Sequence, residues 1–230
     1  MVSGPDHAIH AGNGLIQVDL HVHTCHSSDS LTSLEEVIAA VQRRGLGGVA
    51  ITDHNSIAGA LELQHAAPFP VIVGEEVMTT EGEIIGLFLQ ECIHPGLTPA
   101  ETIARIREQG GVVYVPHPFD VYRDSRLCER ALMDVIDDVD ALEVLNARVT
   151  LPAHNERAKN LAQTRHLLCG GGSDAHTPFE IGQAYVEMQP FADKAGFQRS
   201  LATGRVGGGL SLPHVHLFST WAKLQKRAGA

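Results

Sequence analysis

Six apolar runs along this chain each lead into His, Asp, Glu or Asn. Residues 16–20 lead into His21 and His23, residues 49–52 into Asp53 and His54, and residues 71–74 into Glu75 and Glu76. In the second half, 112–115 leads to His117, 141–145 carries Glu143 and leads to Asn146, and 167–172 leads to Asp174 and His176. A seventh apolar run, 84–89, has no charged cluster at its end. Between the runs lie segments with helical spacing. Ser33, Leu34, Glu35 and Glu36 make a capping box, after which Leu34, Val37, Ile38 and Val41 share a face and Gly45 acts as a stop. Thr98 and Glu101 repeat that chemistry with Pro99 at the first helical position. Further helices are predicted near 127–139, 153–164, 191–203 and 219–227.

Strand followed by helix, repeated, implies a parallel sheet with crossovers. An open doubly wound sheet would place its ligands at a single switch point. Six strand ends carrying imidazole, carboxylate or amide groups favour a closed α/β barrel of about seven strands, with the active site at the C-terminal ends of its strands. At 230 residues and 43% hydrophobic, the chain can bury roughly 70 to 75% of its unfolded surface, which suits one domain over 1–230. No inserted segment long enough to cap the site stands out.

The net charge of −10 argues against a broad grip on a phosphate backbone, which depends on Lys and Arg. Long nucleic acid is therefore not an expected partner. Cys25, Cys92, Cys128 and Cys169 form no CxxC pair, and they read as reduced thiols of a cytoplasmic protein. The first fourteen residues lack the basic start and apolar core of a signal peptide. No run of 18 apolar residues suggests a membrane span. Oligomeric state is left open.

Among 14 histidines, His21 and His23 fall on the same side of an extended strand, so both can bind one ion. His214 and His216 have the same spacing but no carboxylate nearby in sequence, and are read as structural. His54 is the candidate ligand of its pair, with Asp53 an orienter of an imidazole or a turn cap. Alternation lets only one of Glu75 and Glu76 face the site. His117 lies between two prolines, and Asp174 and His176 follow a Gly170-Gly171-Gly172 run that reads as a tight turn. No Walker P-loop, HExxH or GxSxG is present.

The segments DLHVHTCHSSD, ITDHNS, GEE, VPHP and GSDAH, in that order over about 15–180, resemble the successive motifs of the PHP (polymerase and histidinol phosphatase) domain. The resemblance implies a distorted (β/α)7 barrel, two or three divalent ions (Mn, Fe or Zn), and hydrolysis of phosphate esters. It further implies that a first metal takes His21, His23, Glu76 and Asp174, and that a second shares Glu76 and adds His117. A third, apart from the HxH pair, takes Asp29, His54 and His176, with His26 competing for the place of Asp29. Where related proteins offer another His to the second metal, this chain has Asn146 or Glu143. Asp29 in place of His leans toward Mn or Fe.

Asp174, His176 and Asp53 are the candidate catalytic residues. Arg123, Arg148 and Asn146 are the candidate substrate contacts, the arginines because a guanidinium fork suits phosphate oxygens. The expected activity is hydrolysis of a small phosphomonoester by water acidified at clustered cations. The alternatives are an exonuclease acting on short nucleic acid, an amidohydrolase and a noncatalytic metal-binding module. Many amidohydrolases bridge their metals through a modified lysine, and none of Lys159, Lys194, Lys223 and Lys226 follows a predicted strand.

Overall fold

The computed structural model describes residues 14–212 and 214–228. His7, His10 and the N-terminal stretch read as carrying no signal peptide lie outside the described residues. The strands are β1 (Ile16–Val22), β2 (Gly48–Ile51), β3 (Val71–Thr79), β4 (Gly82–Leu87), β5 (Val112–Val115), β6 (Ala141–Asn146), β7 (Leu168–Gly172), β8 (Ala184–Met188) and β9 (Arg205–Gly208). The helices are α1 (Leu34–Arg44), α2 (Ala58–Ala66), α3 (Pro99–Glu108), α4 (Glu129–Val135), α5 (Pro152–Arg165), α6 (Lys194–Thr203) and α7 (Val215–Ala228). All the strands share one sheet, ordered β7-β6-β5-β4-β3-β2-β1-β8-β9, which curls into a nearly closed barrel. No helix among the described residues is long and apolar enough to cross a membrane.

The barrel is α/β, as the sequence predicts, but less regular. Strand β4 runs antiparallel to both β3 and β5, because two residues join β3 to β4 and so short a connection makes a hairpin, not a crossover. Strands β8 and β9 are additional and antiparallel. Both predicted capping boxes form, at Ser33–Glu36 and Thr98–Glu101. Helix α2 was not predicted; its N-cap residue, Ile57, makes no side-chain cap bond, so the sequence carries no start signal there.

Alternation splits the strand residues between two apolar clusters. Val49, Ile51, Val113 and Val115 pack with the surrounding helices, while Ala50, Val112 and Tyr114 join Val18, Leu20 and Phe197 in the other. Two irregularities interrupt this pattern near the rim. The register shifts in β1 between Asp19 and Val22, and in β6 between Glu143 and Leu145. Residues three apart normally face opposite sides of a strand, and a bulge re-aims them, which lets Glu143 and Asn146 meet at 2.9 Å.

At the seam, the N-terminal half of β1 pairs with β8, and its C-terminal end turns to the segment after β7. There His23 N donates to Ala175 O at 2.9 Å. Asp19 sits at the fork, its buried carboxylate accepting from Ser173 N and Gly182 N, both at 2.8 Å.

The glycine run read as a tight turn is strand β7 itself. A Cβ on Gly170 would fall 2.2 Å from the Tyr114 ring, and one on Gly172 would fall 2.3 Å from His21 Cβ and 2.8 Å from His21 N. The run lets β7 approach β1. Gly172→Ala is expected to lower stability by about 1–3 kcal/mol through overpacking, read as a lower denaturant midpoint at unchanged slope. An unchanged midpoint would show that β1 and β7 can separate freely.

Candidate metal centre

The bulged end of β1 points His21 and His23 at one another, with their Nε2 atoms 3.1 Å apart. Glu76, from β3, places Oε2 3.4 Å from His21 Nε2 and 3.3 Å from His23 Nε2. Asp174, after β7, places Oδ1 at 3.7 and 3.5 Å from the same nitrogens. Four ligand atoms at bonds of 2.0–2.2 Å in tetrahedral array lie about 3.3 to 3.6 Å apart, so these separations fit a shared ion. All four side chains are buried, and Asp174 Oδ1 has no hydrogen-bond partner. A buried carboxylate oxygen left unpaired among imidazoles is what a cation site requires. The residues therefore fit a divalent metal.

The other oxygen of Glu76, Oε1, lies 3.1 Å from His117 Nε2, so one carboxylate faces two sets of imidazoles. His117 and Asp174 both sit at positive φ, 29° and 55°. Such backbone is uncommon for residues other than glycine, and it concentrates at functional sites.

Asp29, His54 and His176 also converge. Asp29 Oδ2 is 3.3 Å from His54 Nε2, and Asp29 Oδ1 is 3.2 Å from His176 Nε2. This set is not apart from the HxH pair, since the His23 ring centroid lies 4.6 Å from that of His54 and 4.3 Å from that of His176. His23, Asp29, His54 and His176 together form one possible ligand group. His26 points elsewhere, toward Glu62 at 3.6 Å.

One further possible ligand carries no signal at a strand end in the sequence. Glu83, at the start of β4, is buried and lies 3.4 Å from His54 Nδ1 and 3.7 Å from His117 Nε2. With His54 and Glu76 it forms a further possible ligand group, and its Oε2 has no hydrogen-bond partner. Burial and then the neighbouring Glu76 carboxylate push its carboxyl pKa up.

Other candidates hold the centre in shape. Glu143 accepts from His21 Nδ1 at 3.1 Å and from His117 N at 2.8 Å, which fixes the His21 tautomer with Nε2 toward the site. Asn146, expected at the second metal or the substrate, instead donates its amide to Glu143 and to Asp174 Oδ2 (3.1 Å), while its oxygen accepts from Arg148 N. Asp53, expected to orient an imidazole or to cap a turn, holds Thr24 through both carboxylate oxygens, at 2.6 and 2.7 Å. Of the adjacent glutamates, Glu75 faces away, accepting from Ile93 N at 2.8 Å.

Arg123 pairs with Asp174 Oδ2 at 2.6 Å. Arg148 is buried, contacts His176 Nδ1 and faces Glu180 at 3.3 Å. Against burial, which lowers it, Glu76, Asp29 and Glu83 raise the His54 pKa to about 10. Burial, then the positive fields of His23 and Arg148, lower that of His176 to about 3.

Above these groups opens a cavity of about 600 Å³ whose lining includes Asp29, His54, Glu83, Arg123, Arg148 and His176. His216 lines it too, although the second HxH pair reads as structural in the sequence. Ser219 and Lys223 of α7, a helix the sequence predicts near 219–227, line it as well.

Comparison with known proteins agrees with this geometry. The sequence matches the PHP domain over residues 19–167 and a PHP-associated region over 152–206. An uncharacterized protein of Methanocaldococcus jannaschii is 41% identical over 146 residues, 57% of this chain and 82% of that protein. The fold is shared with a Bacteroides vulgatus two-domain protein containing a predicted PHP-like metal-dependent phosphoesterase, at TM-score 0.66 and 15% identity over 85% of this chain. This chain spans 65% of that protein's length. A lesion-specific endonuclease of Pyrococcus furiosus has the same fold, at TM-score 0.66 and 14% identity over 84% of this chain and 57% of its own. With the PHP match running from Asp19 to Leu167 across four of the five motifs, and the fifth, GSDAH, inside the PHP-associated region, the chain belongs to the PHP domain family.

Proposed function

We propose that this protein is a metal-dependent phosphoesterase that hydrolyses a small phosphomonoester, such as a nucleotide or histidinol phosphate, with two or three bound Mn, Fe or Zn ions. The observation that carries the reading is Glu76, whose two oxygens face separate imidazole sets and which contacts His54, a residue that lines the cavity together with Arg123. His21, His23, Glu76 and Asp174 would hold a first ion, His117 with Glu76 a second, and Asp29, His54 and His176 a third, with Glu83 within reach of His54. Divalent cations there would acidify water and withdraw charge from the phosphoryl oxygens and the leaving alkoxide. The share of carboxylate oxygens favours Mn or Fe over Zn.

The protein's own groups prepare that chemistry. Glu143 holds His21 in one tautomer, and Asn146 and Arg123 fix the second oxygen of Asp174. Arg123 keeps donors beyond that pair for a phosphoryl oxygen. A net charge of −10 gives a polyanion little to grip away from the centre, so a single terminal phosphate is the favoured substrate.

The test compares metal-replete and chelated protein on p-nitrophenyl phosphate, its bis-ester, nucleotides, histidinol phosphate and a labelled single strand. Monoesters should react fastest, and chelation should abolish turnover. Faster degradation of the long strand at physiological salt would point to an exonuclease. C–N cleavage without phosphate release would point to an amidohydrolase.

A further inference from the structure

Helix α7 is anchored beside the metal-site residues at both ends. Near its start, Arg148 Nη2 donates to Val215 O and Ser219 Oγ, both at 3.0 Å. Near its end, Lys226 Nζ donates to Cys25 O at 2.6 Å and to Ser27 O, in the loop that carries Asp29. Its own Val215 and Ala222 are buried. The three α7 residues that line the cavity, His216, Ser219 and Lys223, follow the 3-and-4 spacing of a single helix face. The helix carries Lys223, Lys226 and Arg227 and no acidic residue.

Lys223 reaches Asp29 Oδ2 with its Nζ at 3.3 Å, although its side chain is 51% exposed. An ammonium has three donors, and one carboxylate oxygen occupies only one of them. His216 lies in the same positive field, its pKa lowered by burial and then by Arg148 and Arg123, so it can enter neutral hydrogen bonds at physiological pH.

We propose that this face of α7 is an anion-binding wall. Lys223, supported by Ser219 and His216, takes a phosphoryl oxygen beside Arg123, and the anchored helix restricts the site to a phosphate carried by a small molecule. The proposal deepens the phosphoesterase reading and rests on it only for the identity of the ester, since binding of inorganic phosphate tests the wall directly.

The experiment measures inorganic phosphate binding to metal-replete protein by calorimetry, with elemental analysis and a denaturant midpoint on the same samples. Lys223→Ala should weaken phosphate binding about tenfold, the loss of one charge-assisted contact, with metal content and midpoint kept. Lys223→Arg should restore most of the affinity. Phosphate affinity within twofold of wild type in Lys223→Ala would overturn the proposal. Loss of metal in that variant would also overturn it, because Lys223 would then be a prop for Asp29. If phosphate binding depends on Lys223 while no ester is cleaved, the wall stands and the phosphoesterase reading falls. If esters are cleaved and Lys223→Ala keeps wild-type KM and phosphate affinity, the wall falls and the reading stands.

Discussion

Replacing Glu76 by Gln should strip metal from the protein and lower turnover by about a thousandfold, the effect of losing about 4 kcal/mol of transition-state stabilisation. Glutamine has nearly the same shape, so packing is kept and chemistry alone changes. One of the two facing oxygens becomes an amide nitrogen, which carries hydrogens and no lone pair for a cation. Whichever way the amide turns, either His117 at 3.1 Å or the His21, His23 and His54 group at 3.2 to 3.4 Å loses its shared carboxylate oxygen. Asn146→Ala is the control, because Asn146 donates to Asp174 from the side. Elemental analysis of the two purified variants decides the matter. A Glu76→Gln protein with the wild-type metal content would remove Glu76 from its bridging role.

Arg148→Ala should act mainly through the fold, although the sequence suggests a phosphate contact. The guanidinium is 3% exposed and reaches His176, the Asp174 carbonyl, Glu180, Val215 O and Ser219 Oγ. Its removal leaves Glu180, also 3% exposed, without its cationic partner. Breaking a buried pair on one side costs about 3–5 kcal/mol. The denaturant midpoint should fall accordingly, and α7 should become the first segment cut in limited proteolysis. Turnover should drop about 10- to 1000-fold as His176 loses its neighbour. A variant with an unchanged midpoint and a protected α7 would return Arg148 to a pure substrate role.

All the candidate ligands but Asp29 were legible in the sequence because each follows an apolar run, and a strand's end is where a barrel presents its chemistry; Asp29, in a polar loop, came only from the family resemblance. His21, His23, Asp29, His54, Glu76, His117, Asp174 and His176 all meet at the rim. Glu83 was missed because it precedes its apolar run. A two-residue hairpin connection reverses the direction of β4, and that returns the start of the strand to the rim where its neighbours end. The short 79–82 spacing between β3 and β4 was the available signal. Asn146 and Asp53 were placed near the site with more than one task open to each, since a sequence shows that a polar group is near without showing which donor it meets. The bulges in β1 and β6 are also silent in a period-two pattern. Strand β9, Arg-Val-Gly-Gly, has too few apolar residues to register as a strand at all.

The seam between β1 and the segment after β7 carries a consequence for how the site comes into being. Ser173 Oγ donates to His21 O across 152 residues of sequence, and the His23–Ala175 bond beside it spans a similar distance. Contacts of such long range require loop closure first and form late in folding. His21 and His23 are synthesised well before Asp174, and they meet it only after nearly the whole barrel has been laid down. A nascent chain therefore presents an isolated pair of imidazoles, a weak and promiscuous binder, until the last parallel strand arrives. Metal selection belongs to the finished barrel, and an ion bound there tightens the seam by mass action.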